Sequence, residues 1–436
     1  MSFNPEKIKQ GIEVEGYLRT REQVQRQAKE IKERRLYDSH YDNDTFTSEM
    51  LTLIGANRLF KTPHYDTGHC TEIDLLPFDN LGDFIEDFRT ILSSVYEYSN
   101  EKDYLYMLTA NNPVTGYAGA HQHLSIPHKI DGANKDIRDK LYVFQPFISL
   151  LGQNSSFEYA YIDAKRYDSY SGRYIDSSIP YRVLSELKDS RITQDFGDDA
   201  GGFSFKDRCR YYDYDEEEDD TCDDNGMLSP DYELGTMEVR YPSSASLFQV
   251  MGVATFLKAC LFQKPNELQS REYDDTLSRM CNLVSTYGSL TPVNVKVPGY
   301  KSTVLLDIGT IFNMLLKTNA FSEGLERATD ELDTRDASKV MRFFDIFSKG
   351  MSMTDFYNTA LKDISDIEDQ CNVIHKLGEN EFLKGEMIVD KINPVDFKVN
   401  MNTRIKFPVL DSRIFDITEQ VKNLKHKQFL LDSFSL

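Results

Sequence analysis

The chain has 436 residues, 40% of them hydrophobic, with 27 Phe and 25 Tyr but no Trp. Its 50 Lys and Arg against 71 Asp and Glu leave a formal charge of −21, which argues against a broad nucleic-acid or anionic-membrane surface, since phosphate recognition needs a positive footprint. No run reaches the roughly 18 apolar residues of a membrane span, and none of the six cysteines forms a C-x-x-C pair that would mark a thiolate zinc site. The opening residues, Met1-Ser2-Phe3-Asn4-Pro5-Glu6, carry no signal-peptide pattern. These features lead us to expect a cytoplasmic protein with reduced thiols, built as two domains or as one large domain with an appendage.

Residues 10–18 alternate apolar and acidic side chains and predict a strand. Glu13 and Glu15 then share one face, because residues two apart in a strand point the same way. A solvated acidic edge would show the same pattern. A charged helix is expected over 20–35 and a second over 45–59, opened by Asp44 or Thr45. Gly68 marks a turn into the strand Thr71-Glu72-Ile73-Asp74, which Pro77 ends. His64, Asp66 and His69 crowd that turn, and Glu72 and Asp74 share a strand face. Phe84, Phe88, Ile91, Leu92 and Val95 recur at helical spacing and predict an amphipathic helix over 81–97.

A strand over 104–110 and a turn at Asn111-Asn112-Pro113 lead to a strand with His121 and His123 on one face. Imidazoles beside carboxylates suit borderline divalent metals; two satisfied, half-buried histidines are the plainer alternative. Residues 136–152 predict an apolar helix, and 157–164 a strand. In the polar loop that follows, Arg173 either clamps a phosphate or carboxylate or is a surface arginine. The acidic run within 207–233 has no periodicity and lacks the spacing of a calcium loop, so it reads as a solvated insertion. The strand Thr236–Pro242 places Glu238 and Arg240 on one face, and Ser243, Ser244 and Ser246 open an apolar helix to about Phe262. Residues 263–266 are the best boundary. Beyond them we expect helices at roughly 268–285, 305–318, 322–347 and 353–376, then an irregular 387–415 with little strand alternation.

The fold class implied is α+β: an antiparallel sheet with one concave catalytic face, helices packed on the other, and a helical C-terminal region. Residues 1–265 would form the catalytic domain, with 207–233 as an insertion, and 266–436 the helical region. If the four acidic or histidine-bearing strands are neighbours, one face collects carboxylates, imidazoles and a guanidinium. Such a face is a poor core but a good cradle for divalent cations carrying a polyphosphate.

In this order, the segments resemble the glutamine synthetase/glutamate–cysteine ligase superfamily of ATP-dependent carboxylate–amine ligases. Glu13 and Glu15 resemble its E-x-E strand, Gly68 to Ile73 its G-x-x-x-E-[IV] strand, His121 to Ser125 its H-x-H-x-S strand and Glu238 to Pro242 its E-x-R-x-P strand. The loop bearing Arg173 is a looser match. The resemblance covers about 10–262 and favours the carboxylate–amine ligase branch. It departs from the family in one respect, since no unambiguous second acid precedes Glu72; Asp66 and His64 sit near the expected place.

The resemblance implies ATP and Mg²⁺ or Mn²⁺ as cofactors. Glu15 and Glu72 would hold one ion, and Glu13, His121 and Glu238 the other. Arg240 and Arg173 would stabilise the transferring phosphoryl group and bind nucleotide along with Ser125, and His123 would sit beside the substrate. It further implies an acyl-phosphate route to an amide, with glutamate or another amino acid as the acid and a small-molecule amino acid or peptide as substrate. The rival readings are a guanidino-kinase-like phosphotransferase, a non-catalytic binding module on the same scaffold, and a metal-dependent hydrolase.

Overall fold

The computed structural model describes residues 5–32, 64–66, 70–108, 119–127, 141, 143–152, 199–200, 203–206, 234–239, 246–263, 276–277, 280–281, 283–284, 288–349, 353–361, 363–388 and 407–434. For some of these, including His64, Asp66, Ser125 and Glu238, it describes the backbone alone. Among the described residues, no helix is long and apolar enough to cross a membrane.

Helices and antiparallel strands are mixed, as an α+β class requires. Among the described residues, the larger sheet has eight strands: β1 (Lys9–Thr20), β2 (His64–Asp66), β3 (Cys70–Phe78), β4 (Tyr104–Met107), β5 (Ala120–Pro127), β6 (Asp199–Ala200), β7 (Phe203–Lys206) and β8 (Leu234–Val239). They run in the order β2-β3-β1-β5-β8-β7-β6, and every pair is antiparallel. The end of β1 leaves this path, and its residues Tyr17 to Thr20 pair with β4.

Alternation along β1 decides which face is core. Ile12, Val14 and Leu18 are fully buried, with Ile73 and Leu75 of β3 and Ala120 and Leu124 of β5. The β1–β3 register slips between Gln10 and Ile12, leaving one extra residue in β3 next to Pro77. A proline has no N–H for the ladder, so a bulge is where it is tolerated.

Two helices cover the apolar face. Helix α2 (Leu81–Glu101), after α1 (Arg21–Lys32), is capped by Asn80, whose side chain accepts from the Gly82 and Asp83 N–H groups. Its buried stripe contains Phe84, Phe88, Ile91, Leu92 and Val95, as their spacing predicts. Past the short α3 (Gln145–Gly152) comes α4 (Leu247–Leu261), capped by Ser246 and buried along all 15 residues. A helix apolar all round belongs inside. Gln10 ties it to the sheet by donating from Nε2 to the Ala254 carbonyl at 3.0 Å.

The later helices build outward from α4 and α2: α5 (Ile308–Leu316), α6 (Asn319–Thr329) and α7 (Thr334–Ser348) lie against α4, α8 (Met353–Leu361) packs on α9 (Ile367–Lys384), which lies against α2, and α10 (Thr418–Phe434) reaches α5 through Gln420, whose Nε2 donates to the Met314 carbonyl. Phe256 of α4 meets Phe321 of α6 at 5.3 Å between ring centroids, and Phe147 of α3 meets Phe415 at 4.8 Å. His375 of α9 reaches back to β4, where its Nδ1 accepts from the Tyr106 N–H at 3.0 Å. The turn between α6 and α7 provides a polar joint. There Glu331 accepts from the buried Lys258 ammonium of α4 and from the Leu81 N–H at the start of α2.

Beyond residue 265 the structure differs from the sequence reading. A three-stranded sheet, ordered β10-β9-β11, lies among the helices: β9 (Pro292–Lys296), β10 (Val304–Asp307) and β11 (Val409–Asp411). The expected helices at 322–347 and 353–376 are each broken in two. Aspartates restart them, Asp333 accepting from the Asp336 N–H and Asp366 from the Glu368 N–H. Apolar periodicity runs through such breaks, because the cap is polar and sits off the stripe.

Candidate metal centre

β1 lies between β3 and β5, and the register sets the rungs of the polar face. Glu13 is directly opposite Asp74 on one side and His121 on the other. Glu15 is opposite Glu72. Gly11 is opposite His123, whose other neighbour is Glu238 of β8. Directly opposed residues share a sheet face. One face therefore brings together Glu13, Glu15, Glu72, Asp74, His121 and His123, from three strands far apart in sequence.

This face is not solvated. Glu13, Glu72, Asp74, His121 and His123 are between 3% and 8% exposed. One carboxylate oxygen from each of Glu13, Glu72 and Asp74 lies within 4.8 Å of the others. Around a six-coordinate cation with bonds of about 2.1 to 2.4 Å, opposite oxygens stand roughly 4.2 to 4.8 Å apart. The three acids thus already stand at the spacing of a ligand set. Glu13 is the hub, with His123 Nε2 at 3.2 Å from one of its oxygens and His121 Nδ1 at 3.6 Å from the other. Glu15 is half-buried, and its carboxylate accepts the Gly119 N–H. Hard oxygen donors with an adjacent imidazole fit Mg²⁺ or Mn²⁺.

Electrostatics point the same way. Burial, and then the neighbouring charges of Asp74 and Glu13, push the Glu72 carboxyl well above the ordinary carboxylate range, so without a cation the acid cluster retains a proton at neutral pH. In the unfolded chain Glu72 would lose its proton near 4.5. Folding without a cation therefore takes up a proton above that pH, and this contribution to stability falls as pH rises. A cation bound at this face would have to displace the proton. Mn²⁺ affinity should accordingly increase from pH 6 to pH 8, by up to about tenfold per unit for one proton released. Calorimetric titration in two buffers of different ionisation enthalpy measures that release; pH-independent affinity would contradict it.

The remaining candidates fall differently. Glu238 and Ser125 have backbone positions on β8 and β5, with Ser125 opposite Lys9 and Thr236; their side chains lie outside the described residues. His64 has its backbone opposite Glu72. Arg173, Arg240, His69, the acidic insertion, the helix at 45–59 and the strand at 157–164 all lie outside the described residues. Asp74 is the residue that sequence reasoning undervalued. Parity put it on the face of Glu72, but it had no place in the ligand set implied by the resemblance. Only the register, which sets it opposite Glu13, brings it in.

No protein-family model matches the sequence, and no curated protein matches it. Among solved structures, the chain is similar to the complex between prokaryotic ubiquitin-like protein Pup and its ligase PafA (TM-score 0.40, 10% identity, 89% of this chain and 69% of that one). It is similar to a glutamate–cysteine ligase of Francisella tularensis in complex with AMP (0.46, 9%, 97% and 94%). A bifunctional glutathione synthetase of Pasteurella multocida is also similar (0.44, 13%, 87%), and this chain spans 52% of its length. Likenesses this distant do not bear on activity; the grounds for a function are the strand register and the donor set.

Proposed function

We propose that this protein is an ATP-dependent carbon–nitrogen ligase whose polar sheet face holds ATP through Mg²⁺ or Mn²⁺. The observation that carries this reading is the β3-β1-β5 register, which gathers four acids and two imidazoles on one face. An acidic protein of net charge −21 could then still accept a polyanion, because cations held by these acids would neutralise the phosphates and polarise the γ-phosphoryl group.

In this reading Glu13, Glu72 and Asp74 are the inner oxygen donors, and Glu15, His121 and Glu238 complete the ligand shells. Glu13 is oriented by the His123 imidazole, whose Nε2 stands 3.2 Å from one of its oxygens. His123, two residues along β5 from His121 and opposite Glu238 of β8, would face the substrate side, and Arg240 and Arg173 would neutralise the transferring phosphoryl group. The substrate carboxylate attacks the γ-phosphorus with loss of ADP, giving an acyl phosphate. The amine then displaces phosphate, loses a proton and leaves the amide. The protein supplies no nucleophile; it positions both partners, and burial of the face strengthens each charge interaction. Glutamate or another amino acid is the proposed acid. Residues 1–265 are the proposed catalytic domain.

The test is a screen of amino-acid and peptide pairs with ATP and Mg²⁺, following ADP, phosphate and product mass together. The reading predicts ADP and free phosphate in equal amounts with an amide, and only when acid, amine and ATP are all present. A stable phosphorylated product without amide would show a phosphotransferase instead. Turnover without ATP would show a hydrolase.

A further inference from the structure

We infer that Gly119, which precedes β5, is a positioning residue for two groups of the cation face, Glu15 and His121. The inference depends on the ligase reading of that face. Gly119 is buried, and its backbone pairs with β1 twice: its carbonyl accepts the Glu15 N–H at 2.9 Å, and its own N–H donates to the Glu15 carboxylate. The second bond fixes an acid side chain from the partner strand, in the manner of the outer hydrogen bonds that orient metal ligands.

The missing side chain does separate work. Residue 121 shares the strand face of residue 119, and the His121 ring lies back over the glycine. A β-carbon at 119 would stand 2.8 Å from ring Cε1 and 2.9 Å from Cδ2, and closer still to Nε2. The opposite edge of the ring, at Nδ1, faces the Glu13 carboxylate at 3.6 Å. The imidazole is thus held between the Gly119 backbone and Glu13, and any side chain at 119 pushes it out of that slot. The glycine is required for space and not for conformation, since its φ is not positive; the described glycines with positive φ are Gly299 and Gly385. Alanine therefore keeps the N–H and carbonyl that bond Glu15, and its β-carbon meets the His121 ring first.

The experiment is a double-mutant cycle on the full chain with Gly119→Ala, His121→Ala and the pair. Mn²⁺ binding is read from the electron paramagnetic resonance of free Mn²⁺, and folding from thermal melts without metal. Gly119→Ala should weaken Mn²⁺ binding roughly 10- to 100-fold, the range for a lost orienting contact. In the His121→Ala background the same change should cost nothing further. Should Gly119→Ala melt early, the double variant should recover, because the clashing ring is gone; failure to recover would overturn the inference. Wild-type affinity in Gly119→Ala, or an equal loss in both backgrounds, would also overturn it while leaving the cation face intact. A wild-type chain that binds no Mn²⁺ would overturn the cation face itself, and the positioning role with it.

Discussion

Glu13→Gln is expected to abolish ATP-dependent amide formation and leave the folded chain intact. Glu13 is opposed by Asp74 on one strand and by His121 on the other, and both imidazoles approach its oxygens. The amide has nearly the same volume, so packing against β3 and β5 survives. It carries no charge and offers one acceptor oxygen where the carboxylate offers two. An outer partner of a metal ligand is worth roughly 10- to 100-fold in affinity. Removing the proposed central ligand should cost more, so Mn²⁺ affinity should fall by more than about 100-fold, with ATP turnover falling alongside. Calorimetry with Mn²⁺ and phosphate release under saturating substrates read the two losses. Wild-type turnover in this variant would show that the face is not the reaction centre.

The largest expected effect on stability lies away from that face. Lys258 of α4 is 2% exposed, and its ammonium bonds the Glu331 carboxylate and, at 3.4 Å, the Asp79 carbonyl. Glu331→Ala leaves this cation buried without its counter-charge, a loss of about 3–5 kcal/mol. It also removes the acceptor for the Leu81 N–H at the start of α2, worth about 1 kcal/mol more by analogy with other caps. Chemical denaturation should show the full loss. Replacing both partners, Lys258→Met with Glu331→Gln, should restore much of it, since an apolar side chain needs no counter-charge in the interior. A loss below about 1 kcal/mol in the single variant would place Lys258 in contact with water.

The sequence revealed what depends on neighbours two to four residues apart. Ile12, Val14, Glu13 and Glu15 declare both faces of β1, and the stripe from Phe84 to Val95 declares α2. It was silent wherever the partner lies far along the chain. Nothing local says that Tyr17 to Thr20 leave β5 and β3 to pair with β4, or that three residues, Val409 to Asp411, run parallel to β9. Register is a long-range property, set by turns, by bulges and by burial of one face. That is why Glu13, Glu72, His121 and His123 were legible as candidates, yet Asp74 and Gly119 entered the proposed site only once the strands were side by side. The helix breaks at Asp333 and Asp366 were hidden for a different reason: the apolar stripe resumes across each break nearly in phase, and a single aspartate is too common to mark a cap.

Acids from β1 and β3 surrounding a divalent cation are the centre of the proposed chemistry. Anomalous scattering from crystals grown with Mn²⁺ and a non-hydrolysable ATP analogue tests this most directly. The account predicts a Mn²⁺ peak bonded to oxygens of Glu13, Glu72 and Asp74, with the analogue's phosphates on the same ion. Full occupancy of the nucleotide elsewhere, with no anomalous peak on this face, would contradict it.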